Sequence, residues 1–174
     1  MLKLSINWSM ESNSPAHEAT YELAQHILKN SEVGGKNWSE ASIITMLLKA
    51  HNNEEFSEYF KSIVNQVNNT EYYISFYTAF THCLLLKGNW EEILVRYKEV
   101  QHSNIIKTKD IEFSNTLLTM NYAYALMKLG SRRKAYLLGL LVENYFIVNE
   151  TPPLNKAKKE LETILGRAYG CSKS

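Results

Sequence analysis

The chain has 174 residues, enough for one substantial core and short for two. Apolar content of 45% and charged content of 21% are those of an ordinary globular domain, and a formal net charge of +1 excludes a whole-molecule pull toward nucleic acid or anionic lipid. The near-neutral sum hides an asymmetry: residues 1–127 carry 10 basic and 14 acidic groups, net −4, whereas residues 128–174 carry 9 and 4, net +5.

Between Ala16 and Thr151 there is no proline and there are only five glycines, which favours helices joined by short turns. Residues 1–14 read as a short helix or an extended arm. Ser14-Pro15 opens helix one: serine caps, proline suits the first helical position, and Glu18 completes a capping-box spacing. Tyr21, Ala24, Ile27 and Leu28 form its apolar side, and Gly34-Gly35 ends the segment. Helix two is expected from Ser39, as cap, to Ala50. Phe56, Tyr59, Phe60, Ile63, Val64 and Val67 mark helix three. Glu71 to Lys87 reads as helix four despite the β-propensity of YYISFYTAF, because the apolar run is too long for a typical strand. Helix five carries Trp90, Ile93, Leu94, Tyr97 and Val100 and ends near His102. Helix six spans about Asp110 to Leu129 and helix seven Ser131 to Val148, where Pro152-Pro153 stops the run. Helix eight, Leu154 to Tyr169, reads as a C-terminal cap. Its inner stripe is Leu161, Ile164, Leu165 and Ala168; Lys156, Lys158, Lys159, Glu160 and Glu162 are assigned to the opposite, solvent face. Residues 170–174 form a tail. The expectation is an all-α single domain over 1–174, with about eight helices in antiparallel hairpins.

The hairpins share a spacing. With His51, Gly88 and Gly130 as position zero, Leu47, Leu84 and Leu126 stand four residues before; Phe56, Ile93 and Ala135 stand five after; Ile63, Val100 and Val142 stand twelve after. The unit NYAYALMKLGSRRKAYLLGLL, with small Ala123 and Ala135 around the turn glycine Gly130, resembles the tetratricopeptide repeats. FYTAFTHCLLLKGNWEEILVRYKEV shares Gly88 and has Tyr97 at the aromatic position. The resemblance covers roughly residues 38–149. Ile93 and Phe56 stand where the family has a small alanine, and the first unit has no turn glycine. The resemblance implies a short right-handed solenoid that binds a peptide or protein on a concave face. It transfers no binding residue.

No catalytic, cofactor-binding or metal-ligating grouping emerges. Histidines 17, 26, 51, 82 and 102 form no His-x-x-x-His pair, and neighbours His82 and Cys83 diverge by about 100° on a helix. Cys83 lies in an apolar run and reads as an inert core residue, and it has no disulfide framework with Cys171. Glu54-Glu55 and Glu91-Glu92 are assigned to first helical turns, where they complement the dipole. Gly34-Gly35-Lys36 lacks phosphate-loop spacing. Asp110 is the only aspartate.

Lys128, Arg132, Arg133 and Lys134 form a basic cluster at the start of helix seven. Positive charge there opposes the helix dipole, so the cluster is a candidate surface for an acidic partner segment, joined by Lys156, Lys158 and Lys159. Tyr77 and Tyr122 are candidate partner contacts, as tyrosine suits half-buried positions with a wet hydroxyl. The expected function is a non-enzymatic, cytoplasmic interaction scaffold: an adaptor, assembly factor or chaperone that holds a partner peptide or helix in a groove between hairpins. The alternative is a small regulatory or nucleic-acid-associated protein using the basic C-terminal patch. A homodimer through the N-terminal end is also anticipated. No cofactor and no membrane span are expected.

Overall fold

The computed structural model describes residues 16–67, 72–101, 109–151, 153 and 155–166. These residues form eight helices and no strand: α1 Ala16–Asn30, α2 Lys36–His51, α3 Ser57–Val64, α4 Tyr73–Lys87, α5 Trp90–Gln101, α6 Lys109–Lys128, α7 Arg132–Val148 and α8 Asn155–Leu165. The all-α class follows the sequence reading, and YYISFYTAF is helical. The expected arm over 1–14, the Ser14-Pro15 cap, Ala168 and the tail lie outside the described residues.

The helices pack in chain order. Each touches the next, and the even-numbered helices also touch each other in series: α2 on α4, α4 on α6, α6 on α8. Among the described residues helix backbones pack only on those one or two positions away, while the His82 side chain of α4 reaches Lys156 of α8.

The turns explain this order. Gly88 and Gly130 adopt left-handed backbone, at φ +74° and +86°. After Gly88, the Asn89 N–H reaches the Leu84 carbonyl at 3.0 Å and the Gly88 N–H that of Leu85 at 3.2 Å. Ser131 and Gly130 repeat this with Leu126 and Met127, at 2.8 and 3.1 Å. Both are Schellman turns, which satisfy the last carbonyls of one helix while reversing the chain. The first break uses the same device without glycine. Asn53 sits at φ +60°, and Glu54 and Asn53 donate to Lys49 and Ala50 at 2.8 and 3.3 Å. Asparagine is among the few residues that tolerate this conformation.

The shared spacing is the interior pattern. All nine marked positions are buried, from Leu84, Ile93 and Ala135 at 0% exposure to Leu47 at 8%. An aromatic layer fills the core of α2–α5. Phe60 stacks on Phe80 at 3.9 Å between centroids, and Tyr77 meets Phe60 edge-on at 5.2 Å. A second core joins α6, α7 and α8 through Ala123, Leu126, Ala135, Val142, Phe146 and Leu161. Here Gly139 lets α7 approach α8 closely: a Cβ on it would stand 2.7 Å from Ile164 Cγ2.

The seam between α4 and α6 is polar. Ser75 and Ser114 hydroxyls pair at 3.0 Å, Thr78 Oγ1 donates to the Ser114 carbonyl at 2.9 Å, and buried Asn121 donates to Thr81 Oγ1 at 3.0 Å. Such paired groups specify one register, because a slip would strand them unpaired.

Two local expectations are corrected. Ser39 is not the cap of α2: the helix starts three residues earlier, with Gly35 as N-cap, and Ser39 is fully buried inside it. The extra turn lets buried Trp38 pack on Phe76, at 6.5 Å between rings. Glu54 and Glu55 precede α3 rather than lying in its first turn. Glu55 Oε1 accepts the N–H groups of Ser57 at 2.7 Å and Glu58 at 3.2 Å, which caps the helix and holds this carboxyl below its ordinary range.

A Cβ at Gly130 would meet nothing within 4 Å, so substitution there tests the backbone alone. Gly130→Ala is expected to lower the unfolding free energy by about 1 kcal/mol and Gly130→Asn by less, read from urea midpoints.

Candidate partner-binding surface

The basic cluster forms where α6 turns into α7. Ser131 is the N-cap but makes no side-chain cap hydrogen bond, and the first turn of α7 holds no acidic residue. It holds Arg132, Arg133 and Lys134 instead, and all three are exposed. Each cation opposes the helix dipole at a cost of a few tenths of a kcal/mol.

Two of the four cations rest on aromatic rings. Lys128 Nζ lies 5.2 Å from the centroid of Tyr124. Lys134 Nζ lies 5.5 Å from that of Tyr122 and donates to its hydroxyl at 3.1 Å. Tyr122 in turn stacks on Tyr97 at 4.0 Å with the planes 3° apart. Cation–π contact of this kind fixes a charge without neutralising it. Arg132 and Arg133 have no acidic partner among the described residues. A shallow depression of about 420 Å³ lies at the turn, lined by Gly130, Ser131, Arg132, Arg133, Lys134 and Leu137. A second, of about 610 Å³, runs toward the end of α8 past Lys128, Arg132, Tyr136 and Ile164.

Helix α7 has two apolar faces. Ala135, Gly139, Val142 and Phe146 recur at helical spacing and are buried. Roughly opposite them Leu137, Leu141 and Val148 are 55%, 64% and 69% exposed, with Ile147 beside them at 64%. Arg133 and Asn144 share this outer side. Large exposed apolar side chains grouped on one helix face mark interaction surfaces more often than singly scattered ones do.

The remaining predicted contacts fall elsewhere. Tyr77 is buried against Phe60 and Tyr73, and burial raises its hydroxyl pKa; it presents almost no open surface. Tyr122 is also buried, but its hydroxyl reaches the edge of the cluster through Lys134. Lys156 does not join the patch.

Lys156 belongs to a polar cluster that sequence reasoning missed. Its ammonium donates to His82 Nε2 on α4 at 3.1 Å, and Glu160, one turn along α8, is buried at 7% exposure. The placement of Lys156 and Glu160 on a solvent face is therefore corrected. The signal lies in the spacing: Ala157, Glu160, Leu161 and Ile164 share one helical face, although glutamate as a residue type points to solvent. Burial pushes the Glu160 carboxyl up to about 7, and attraction from Lys156 opposes the shift. His82 is pushed down to about 3, by burial first and the Lys156 ammonium second. Burial also lowers Lys156, and Glu160 partly restores it. Cys83, fully buried beside His82, donates to the Met46 carbonyl at 3.8 Å, and burial pushes its thiol up to about 12. Among the described residues no three His, Cys, Asp or Glu side chains are grouped to hold a metal ion, and no helix is long and apolar enough to cross a membrane.

No protein-family model, curated protein or solved structure matches the chain.

The two shifted groups act in opposite directions on stability. A carboxyl raised above its ordinary value of 4.5 favours the fold while protonated, and that contribution is lost as pH rises through about 7. A histidine depressed from 6.5 contributes above that value, and its contribution is lost as pH falls toward about 3. Glu160→Gln removes only the first effect, so the variant should gain stability relative to the parent between roughly pH 5 and pH 8, read from urea midpoints. A parallel pH profile for both proteins would contradict the placement of Glu160. The thiol makes a separate expectation. In a Cys171→Ser background, Cys83 should stay unlabelled by an aromatic disulfide reagent until denaturant is added.

Proposed function

We propose that this chain is a non-enzymatic interaction scaffold, a tetratricopeptide-like array of hairpins that holds a peptide or helix of another protein. Adaptor, assembly factor and chaperone are the roles this fits. The observation that carries the reading is the outer face of α7, where Leu137, Leu141, Ile147 and Val148 are each more than half exposed beside an uncompensated basic cluster. Backbone packing confined to helices one or two positions apart supports it, because arrays of this kind expose extended surfaces for partners. A nucleic-acid partner would engage the cations and leave the apolar stripe unoccupied, so a protein partner is favoured.

Affinity capture with the full chain from its native cells tests this. A co-purifying protein should bind the purified chain directly and protect amides of α6, α7 or α8 from hydrogen exchange. Failure of a folded chain to retain any protein above the level of the bare matrix would overturn the reading.

A further inference from the structure

The positive charge on the exposed side of α7 is confined to one end. Lys128, Arg132, Arg133 and Lys134 cluster at its N-terminus, and the stripe then runs through apolar Leu137, Leu141 and Val148, with Asn144 between the last two. From Arg133 to Val148 this spans about 22 Å, four turns of helix. The far end carries Glu143 and Glu150 and no cation.

We propose that the outer face of α7, together with the α6–α7 turn, docks an amphipathic helix whose acidic side chains are gathered at one end. The proposal rests on the scaffold reading and narrows it to a partner class. The apolar stripe matches the apolar face of a helix laid along it, with anchors at i, i+4 and further turns. The acidic end meets Arg132 and Arg133, and the depression at the turn, with three cations and Leu137 in its lining, receives a carboxylate. The first-turn cations oppose the α7 dipole when alone, and an acidic partner relieves that conflict. A membrane surface fits less well. Helices that lie on anionic lipid spread cations along their polar flanks, whereas these stop at Lys134.

The test uses fluorescein-labelled peptides of about 18 residues, with leucines at helical spacing and four glutamates at either the N-terminal or the C-terminal end. Glutamine-substituted counterparts serve as controls. Anisotropy titration of the full chain should show one acidic version binding at least roughly tenfold tighter than its glutamine counterpart, with added salt weakening it. Arg132→Glu with Arg133→Glu, and separately Leu141→Glu, should each cost roughly tenfold or more. Val95→Glu, at an exposed apolar position on α5, should leave binding unchanged. Circular dichroism verifies that each variant is folded, and Leu137→Ser replaces any that is not.

Equal binding of acidic and glutamine peptides would overturn the proposal. So would retention on phosphatidylserine vesicles without peptide binding, or a dimer in sedimentation that Leu141→Glu dissolves. A captured partner whose binding ignores all of these substitutions would overturn this docking surface and leave the scaffold reading standing. A chain that captures no protein and binds no peptide overturns both.

Discussion

Three hairpins, α2–α3, α4–α5 and α6–α7, each depend on one residue in a left-handed conformation. Asn53, Gly88 and Gly130 each close a Schellman turn, which ends a helix within a single residue and sends the chain back. Because the turn has fixed geometry, positions before and after it fall at fixed places on two facing helices. Leu84 and Ile93, or Leu126 and Ala135, are thereby carried into the interior together. Glu150, at φ +50°, closes α7 with the same hydrogen bonds, from Thr151 to Phe146 at 3.1 Å and from Glu150 to Ile147 at 3.2 Å. The price of that strain, of order 1 kcal/mol at a non-glycine residue, is small beside the burial each turn makes available.

Much of the fold was legible because apolar spacing and chain breaks are local signals. The turn at Gly88 follows from glycine, and α4 from the length of its apolar run. What failed was any inference that let residue type stand for environment. Ser39 looked like a cap, but the cap motif cannot register that Trp38 has a partner in Phe76, distant in sequence. Glu160 looked solvated because glutamate usually is, although its spacing placed it beside Leu161. Tyr77 looked like a wet contact, but its neighbours Phe60 and Tyr73 enclose it. Arg132, Arg133 and Lys134 were legible as a cluster; the outer stripe of α7 was not, because Leu137 and Leu141 cannot be told from core leucines until the second face is seen to be full.

The two cores meet through apolar and aromatic contacts such as Tyr97 on Tyr122, and through directional polar pairs as well. Within each, aromatic and aliphatic contacts are non-directional and tolerate small shifts. Between α4 and α6, Ser75, Thr78, Thr81, Ser114 and Asn121 pair with one another or with backbone carbonyls. His82 and Lys156 extend this polar contact to α8. Directional bonds at the junction fix how one hairpin is rotated on the next, and the apolar interior then supplies the larger share of the energy.

Packing mostly between helices near in sequence has a consequence for how damage spreads. In a closed bundle, a defect in one helix loosens contacts on every side. Here α1 packs chiefly on α2, and α8 packs on α6 and α7 and reaches α4 through Lys156 and His82. A local defect is therefore expected to act first on the helices nearest to it in sequence. The aromatic layer around Phe60 and Phe80 lies on α3 and α4, away from both terminal helices, so damage at either end reaches it only through other contacts.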